Sequence, residues 1–288
     1  MTDKIKTLIL IGMIYVIVLV LSVFLYQNIR IENIILKVLI ANVFGTFCIW
    51  LSSVFIKNAS LYDPYWSVVP PLIILLLMIE FSNFSLLMIL YLAGITFWSI
   101  RLTLNWAKLW SDFKHQDWRY NNIRSYAPKL YFLTSFLGIM LFPTLIVFIQ
   151  LIGGIAMIQI EKMPGVISYL GFAIIIIATL IQHISDKQMQ KFKSDPLNKG
   201  KLINIGLWKY SRHPNYLGEI LVWWGIYLFY LDSFGFNYLI ISPVLMMFMF
   251  LFVSIPMMEK KILKTRPEYK KYQESVSVLI PFKKKNKN

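Results

Sequence analysis

Residues 206–225 read Gly-Leu-Trp-Lys-Tyr-Ser-Arg-His-Pro-Asn-Tyr-Leu-Gly-Glu-Ile-Leu-Val-Trp-Trp-Gly. A basic, aromatic segment runs directly into an apolar run and carries Glu219 in with it. An ionisable side chain at membrane depth is costly and marks a functional site by default. Pro214 suits the first position of a helix. A helix starting there would aim its free backbone amides at an anion, with Arg212 and His213 beside it. Asn215 and Tyr216 follow in the first turn. Tyr216, Glu219 and Trp223 stand at i, i+3 and i+7, on one helical face. Gly218 admits another backbone or a flat ligand at close range. Together these residues could hold a phosphate or carboxylate and hydrogen-bond to hydroxyls or amides.

Two other segments carry more polar and aromatic residues than a connector needs. The first runs Leu61-Tyr62-Asp63-Pro64-Tyr65-Trp66-Ser67, and Asp63 is the sole acid between Glu32 and Glu80. Asp63 reads either as a helix-capping aspartate beside an aromatic belt or as an acid at a pocket mouth. In the second, Arg101 and Asn105 share a helical face with Trp98 and Lys108 nearby, and His115, Asp117, Trp118, Arg119 and Tyr120 follow. Arg101 either snorkels or makes a fork for phosphate or carboxylate. Ahead of the opening motif, Gln182, Ser185 and Asp186 are expected to end a helix, and a lysine-rich stretch follows.

The elements that must position these residues are membrane helices. The chain has 288 residues, 58% hydrophobic and 15% charged, where a soluble chain carries about 25% charged. Apolar runs long enough to cross a bilayer are expected at about 7–27, 35–56, 67–81, 84–104, 131–158, 166–185, 216–231 and 236–257. The third is short and meets Pro70 and Pro71, so it reads as tilted, broken or re-entrant and the count as seven or eight. Pro143, Pro243 and Pro256 are expected to kink or end helices. The fold class is an all-α polytopic membrane protein of about seven to eight transmembrane helices. Residues 1–56 read as N-terminal transmembrane helices, 57–258 as a core with a pocket open to the cytoplasmic side, and 259–288 as a basic cytoplasmic tail.

The net charge of +15 follows this topology. With eight spans, 26 of the 29 lysines and arginines fall on the side of both termini, and only Arg30, Lys37 and Lys162 fall elsewhere. That side is cytoplasmic by the positive-inside rule. The same distribution suits anionic lipid and argues against nucleic acid, since no basic domain stands apart from the membrane. Three isolated histidines (His115, His183 and His213) and one cysteine, Cys48, make no zinc or haem pattern. No phosphate loop, dinucleotide fingerprint or serine-nucleophile elbow is present.

Ser211 to Glu219, preceded by Gly206-Leu207-Trp208, resembles the C-terminal signature of steroid 5-alpha-reductase-like membrane proteins, and more closely that of the DUF1295 family. The resemblance takes in Asp63 to Ser67, Arg101 to Trp106, Asp117 to Tyr120 and Asp186. It continues through Arg266-Pro267-Glu268-Tyr269 to Tyr272 and ends at Leu279-Ile280-Pro281-Phe282. It implies a reductase-like C-terminal helical bundle that binds NADPH from the cytoplasmic side. Such an enzyme passes hydride to a conjugated C=C of a lipid or sterol-like enone. On that match Arg101, Asn105, Asp186, Arg212, His213, Asn215, Tyr216 and Glu219 would line the cofactor site. Tyr62-Asp63 would stand where the steroid enzymes carry a Gln-Glu pair, and Trp98 where they carry a tyrosine. These departures put a 3-keto-steroid in doubt. The implied location is a bacterial inner membrane.

Two other readings stay open. Isoprenylcysteine and phospholipid methyltransferases use a similar Arg-His-Pro, Tyr, Gly and Glu arrangement to hold S-adenosylmethionine. A lipid- or sterol-binding membrane protein could also keep the pocket without the chemistry.

Overall fold

The computed structural model describes residues 2–280 of the chain. Pro281 and Phe282, which close the resemblance, and the lysines at 283–285 and 287 lie outside the described residues. Two compact units divide at Lys162: Met1–Lys162 and Met163–Asn288. The boundary falls inside the stretch 57–258 that the sequence reads as one core.

The described residues form helices joined by short loops, with one isolated bridge between Ser211 and Ser277. Seven of these helical stretches are long and apolar enough to cross a membrane: Asp3–Asn28, Ile34–Ile56, Ala59–Glu80, Leu86–Leu109, Pro128–Met157, Val166–Ser194 and Tyr238–Thr265. Their outward faces expose residues such as Val16, Val20, Phe55, Ile79 and Phe252. Apolar exposure on that scale suits contact with lipid. The protein is an all-α integral membrane protein.

The first unit holds α1 (Asp3–Asn28), α2 (Ile34–Ile56), α3 (Tyr65–Glu80), α4 (Leu86–Leu109), α5 (Trp118–Tyr126), the single turn α6 (Tyr131–Thr134) and α7 (Phe142–Met157). Thr2 caps α1 and Asn33 caps α2 through side-chain bonds to backbone amides, as small polar residues do at helix starts. Helix α3, expected to be interrupted, is continuous with Pro70 and Pro71 inside it. They fall in its second turn, where two backbone donors are lost without stopping the helix. Before Pro143 the chain widens into a π-helical turn, Ser135–Leu141, and it does so again at Met249–Ser254 before Pro256. Such turns re-route bonds around a missing amide donor, so these prolines reshape their helices without ending them. A buried core of Ile49, Trp50, Leu61, Tyr62, Tyr65, Tyr120 and Met140 fills this unit.

The second unit holds α8 (Val166–Ser194), α9 (Pro214–Phe234), α10 (Ile241–Phe248), α11 (Ile255–Thr265) and α12 (Tyr269–Ser275). Helix α9 starts at Pro214, as the sequence predicts. The run expected at 216–231 does not meet the apolar standard of the seven spans. Asn215, Glu219 and Asp232 lower its hydropathy, and Gly218, Trp223, Gly225 and Phe229 turn inward. The expected end near Asp186 is also displaced, because α8 continues to Ser194.

Helices α8 and α9 pack antiparallel through small residues. A Cβ on Gly171 would meet the Gly225 carbonyl at 2.6 Å, and one on Gly218 would meet the Ala178 carbonyl at 2.6 Å. Close backbone approach of this kind needs glycine, and it gains dispersion contact where lipid supplies no hydrophobic drive. At the far end Asp232 Oδ2 accepts from Ser168 Oγ at 2.5 Å and from the Gly165 amide at 2.7 Å. A carboxylate on α9 thus satisfies the start of α8, which has no side-chain cap of its own.

Candidate functional site

The residues singled out in the sequence divide between the units. Tyr62, Asp63, Trp98, Arg101 and Asn105 belong to the first; Asp186, Arg212, His213, Asn215, Tyr216 and Glu219 belong to the second.

In the first unit, a side-chain lattice holds the turn before α3. Asn58 Nδ2 donates to the carbonyls of Phe113 at 2.8 Å and His115 at 3.0 Å, while its Oδ1 accepts from Ser60 N at 2.8 Å. Gln116 Oε1 accepts from Ala59 N at 2.8 Å, and Ser60 Oγ accepts from Asp117 N at 2.9 Å. These bonds stitch residues 58–60 to the loop before α5. They deliver the Tyr120 hydroxyl to Asp63 Oδ1, to which it donates. Asp63 therefore does not act as the helix cap that the sequence allows; α3 begins at Tyr65, with Pro64 in the cap position and no side-chain cap bond. Tyr120 lies outside the membrane-spanning segments. Burial, and after it the Asp63 carboxylate, raises its pKa well above the ordinary phenol value, so it stays a hydroxyl donor at neutral pH.

Beside Asp63, Tyr62 is fully buried and its hydroxyl bonds Thr144 Oγ1 at 2.8 Å, which in turn meets Thr46 Oγ1 at 3.0 Å. Thr144 and Thr46 escaped the sequence reading, since threonines in apolar runs carry no distinctive pattern. Trp98 is fully buried on α4 with its ring 5.7 Å from that of Trp66. Arg101 and Asn105 stand one turn apart on the same helix, both half-buried.

In the second unit, a buried carboxylate gathers the motif. Glu259 Oε1 lies 2.9 Å from Arg212 Nε and 2.9 Å from His213 Nε2, and it accepts from the Tyr269 hydroxyl at 3.1 Å. Its Oε2 accepts from Gln273 Nε2 at 2.6 Å. Arg212 Nη1 donates to the Gln273 carbonyl at 2.7 Å, and Arg212 N to the Ser277 carbonyl at 2.9 Å. Arg212 and His213 are thus turned into the protein, where they tie the loop before α9 to α11 and α12. Tyr269, beyond the last span, has its pKa raised by burial and then by the Glu259 charge.

The stretch from 259, read from sequence as a tail, is helical through Ser275 and bonded to this motif. Glu259 was missed as a site residue. Its signal was present: one acid at the end of a long apolar run, immediately before two lysines.

Past this knot, α9 presents its first turn. His213 precedes Pro214 without a side-chain bond to the helix amides. The His213 and Tyr216 rings are stacked at 5.4 Å with 6° between planes. One turn further Glu219, buried, accepts from Trp223 Nε1 at 3.1 Å, so the expected face is real. Asn215 and Asp186 are half-buried, on α9 and α8. Trp208 Nε1 donates to the Ser185 carbonyl at 3.0 Å and Gln188 Oε1 accepts from Leu207 N at 2.9 Å, which ties the Gly206–Lys209 turn to α8.

Fold and clusters together define a polytopic helical membrane protein with one acid-centred polar cluster in each unit. The chain belongs to the family described as "Protein of unknown function (DUF1295)", which matches residues 47–276. The acids at the centre of both clusters, Asp63 and Glu259, fall within the match, and the motif resemblance is borne out at that level. The chain is 28% identical over 207 residues to an uncharacterized protein of Schizosaccharomyces pombe, a match covering 63% of this chain and 60% of that protein. The chain therefore spans about 60% of the length of the curated relative it matches. No solved structure matches.

Proposed function

We propose that the protein is a membrane-embedded, NADPH-dependent reductase acting on the conjugated C=C of a lipid or sterol-like enone. The observation that carries this reading is the Asp63–Tyr120 pair with Tyr62 beside it. Reduction of an enone builds negative charge on the carbonyl oxygen and then needs a proton at the alpha carbon. With Asp63 protonated, the pair carries two hydrogens, one in the bond between the side chains and one free to donate to the carbonyl oxygen and then to serve as a proton source. Transfer of a methyl group to a carboxylate or amine calls for no such acid. Trp98 would add an indole N–H donor.

The residues of the second unit fit a dinucleotide. The start of α9 has no side-chain cap, and such a start favours phosphate through its free amides and dipole. Glu219, Asn215 and Asp186 offer acceptors and amide groups for ribose hydroxyls and a carboxamide. When bound, NADPH would supply the hydride. Arg212 and His213, held by Glu259, would fix the height and direction of the α9 start; a cofactor role for Arg101 and Asn105, on α4 of the first unit, rests on the family resemblance alone. The same helix start would also suit the carboxylate of S-adenosylmethionine, so the acid pair is the observation that favours NADPH. Helix α9 has 21 residues, or about 31 Å at the usual rise. As an eighth crossing it would keep both termini on the lysine-rich, cytoplasmic side of a bacterial inner membrane.

The test is NADPH oxidation by purified protein across a panel of lipid enones. Asp63→Asn and Tyr120→Phe should each lower the enone-dependent rate by about 100-fold or more, with NADPH binding retained. Wild-type rates in both variants would overturn the assignment.

A further inference from the structure

The first unit contains a cavity of about 510 Å³ that neither cluster uses. This is ample for a ligand, since small-molecule sites run from roughly 300 to 1,000 Å³. It is lined by α1, α2 and α3, and its α1 and α2 residues, Tyr15 to Asn42, all precede the first residue matched by the family. Its α3 wall, from Tyr65 to Glu80, lies within the matched residues.

The lining is ordered from one end to the other. Along α3 it extends from Tyr65 to Glu80, about 22 Å at the helical rise and most of the roughly 30 Å hydrocarbon thickness. Val68, Val69, Leu72, Ile73 and Leu76 make that wall apolar. Ala41 lines the cavity from α2, and beside it α1 approaches α2 closely at Gly45, where a Cβ would meet Ser22 Oγ at 2.8 Å.

One end is charged. The Tyr26 hydroxyl donates to Glu80 Oε2 at 2.8 Å, and Lys37 Nζ lies 4.1 Å from the centroid of the Tyr26 ring. A cation and an anion thus share one rim. One turn deeper on α1 is Ser22, whose buried hydroxyl has no hydrogen-bond partner among the described residues. The Asn42 side chain lines the cavity from α2.

We propose that this cavity is a binding site for a zwitterionic membrane phospholipid. Its phosphate would meet Lys37 and its ammonium Glu80. Its ester carbonyls would fall one turn deeper, where Ser22 and Asn42 offer donors, and one hydrocarbon chain would lie along α3. The polarity profile carries the choice of occupant: opposite charges at the rim, the unbonded Ser22 hydroxyl and Asn42 below, then the aliphatic α3 wall from Leu76 to Val68, about 12 Å long. A buried hydroxyl left unbonded is costly, and an ester carbonyl would satisfy it. An uncharged chain would leave the Lys37 and Glu80 charges without an ionic counterpart and the Ser22 hydroxyl unbonded.

The test is native mass spectrometry of the full chain, purified in detergent and then incubated with either phosphatidylethanolamine or phosphatidylglycerol. Wild type should retain phosphatidylethanolamine in preference, at one per chain. Lys37→Glu, a change confined to the rim, should reduce its retention at least fivefold. Ala41→Trp, which fills the cavity, should abolish it while the protein remains monodisperse. Should Ala41→Trp fail to fold, Lys37→Glu alone decides. Equal retention by wild type and Lys37→Glu, no preference between the two lipids, or retention of detergent only would overturn the proposal.

Discussion

Glu259→Ala removes the carboxylate at the centre of the second unit. Arg212 and Glu259 side chains are only 8% and 11% exposed, so the guanidinium would remain buried without its counter-charge. Breaking such a pair from one side costs about 3–5 kcal/mol. Arg212 keeps the Gln273 and Val276 carbonyls as acceptors, which places the loss near the lower end, about 3 kcal/mol. At roughly 2–4 °C per kcal/mol for a chain of this size, the melting temperature should fall by about 6–12 °C. The assay is thermal unfolding of detergent-purified protein, followed by tryptophan fluorescence. A double variant, Arg212→Leu with Glu259→Leu, removes both charges together and should lose clearly less than the sum of the two single leucine variants, because the coupling energy is shared. If Glu259→Ala melts within about 2 °C of wild type, or if the leucine changes are additive, the carboxylate does not hold the motif.

Other expectations follow from packing and titration. Gly225→Ala would bring a Cβ to 2.7 Å from Ile175 Cγ1 and 2.8 Å from the Gly171 carbonyl, and overpacking of this kind costs about 1–3 kcal/mol. Gly12→Ala meets nothing within 4 Å, so in the same melting assay it should be neutral or slightly stabilising. Asp232→Ala strips the start of α8 of both its bonds from Ser168 and Gly165; hydrogen exchange at residues 165–170 should rise while the Glu259 cluster stays protected. Tyr120 and Tyr269 have pKa values raised by burial and then by a neighbouring carboxylate. Their ionisation in the unfolded chain begins near pH 10. Stability should therefore be unaffected by them below that pH and fall as pH rises beyond it. Tyr120→Phe should flatten part of that alkaline slope in a melting series.

Much of the helical architecture was legible because apolar length is a direct consequence of the bilayer, and Pro214 and the Glu219–Trp223 spacing are local signals. What escaped depended on distant partners. Glu259 lies 46 residues beyond His213, and no local pattern announces that pairing. Tyr120 stood out as one of an aromatic cluster, but its bond to Asp63 depends on Asn58 and Gln116 folding two loops together. Helix α9 read as a span because its apolar residues are many; the structure turns them toward α8. Glu219 is buried inside the unit and Asp232 is bonded to the start of α8, which is how these polar residues are tolerated there. Pro70 and Pro71 suggested a break, yet early placement in α3 lets the helix continue.

The reductase reading stands or falls on the cofactor, which the melting temperature of purified protein with NADPH, NADH or S-adenosylmethionine added would reveal. NADPH at a hundredfold excess over its dissociation constant should stabilise the protein by about 2.7 kcal/mol, and Glu219→Gln should weaken that response without lowering the melting temperature of the free protein. Stabilisation by S-adenosylmethionine with none from NADPH or NADH would contradict the reductase reading.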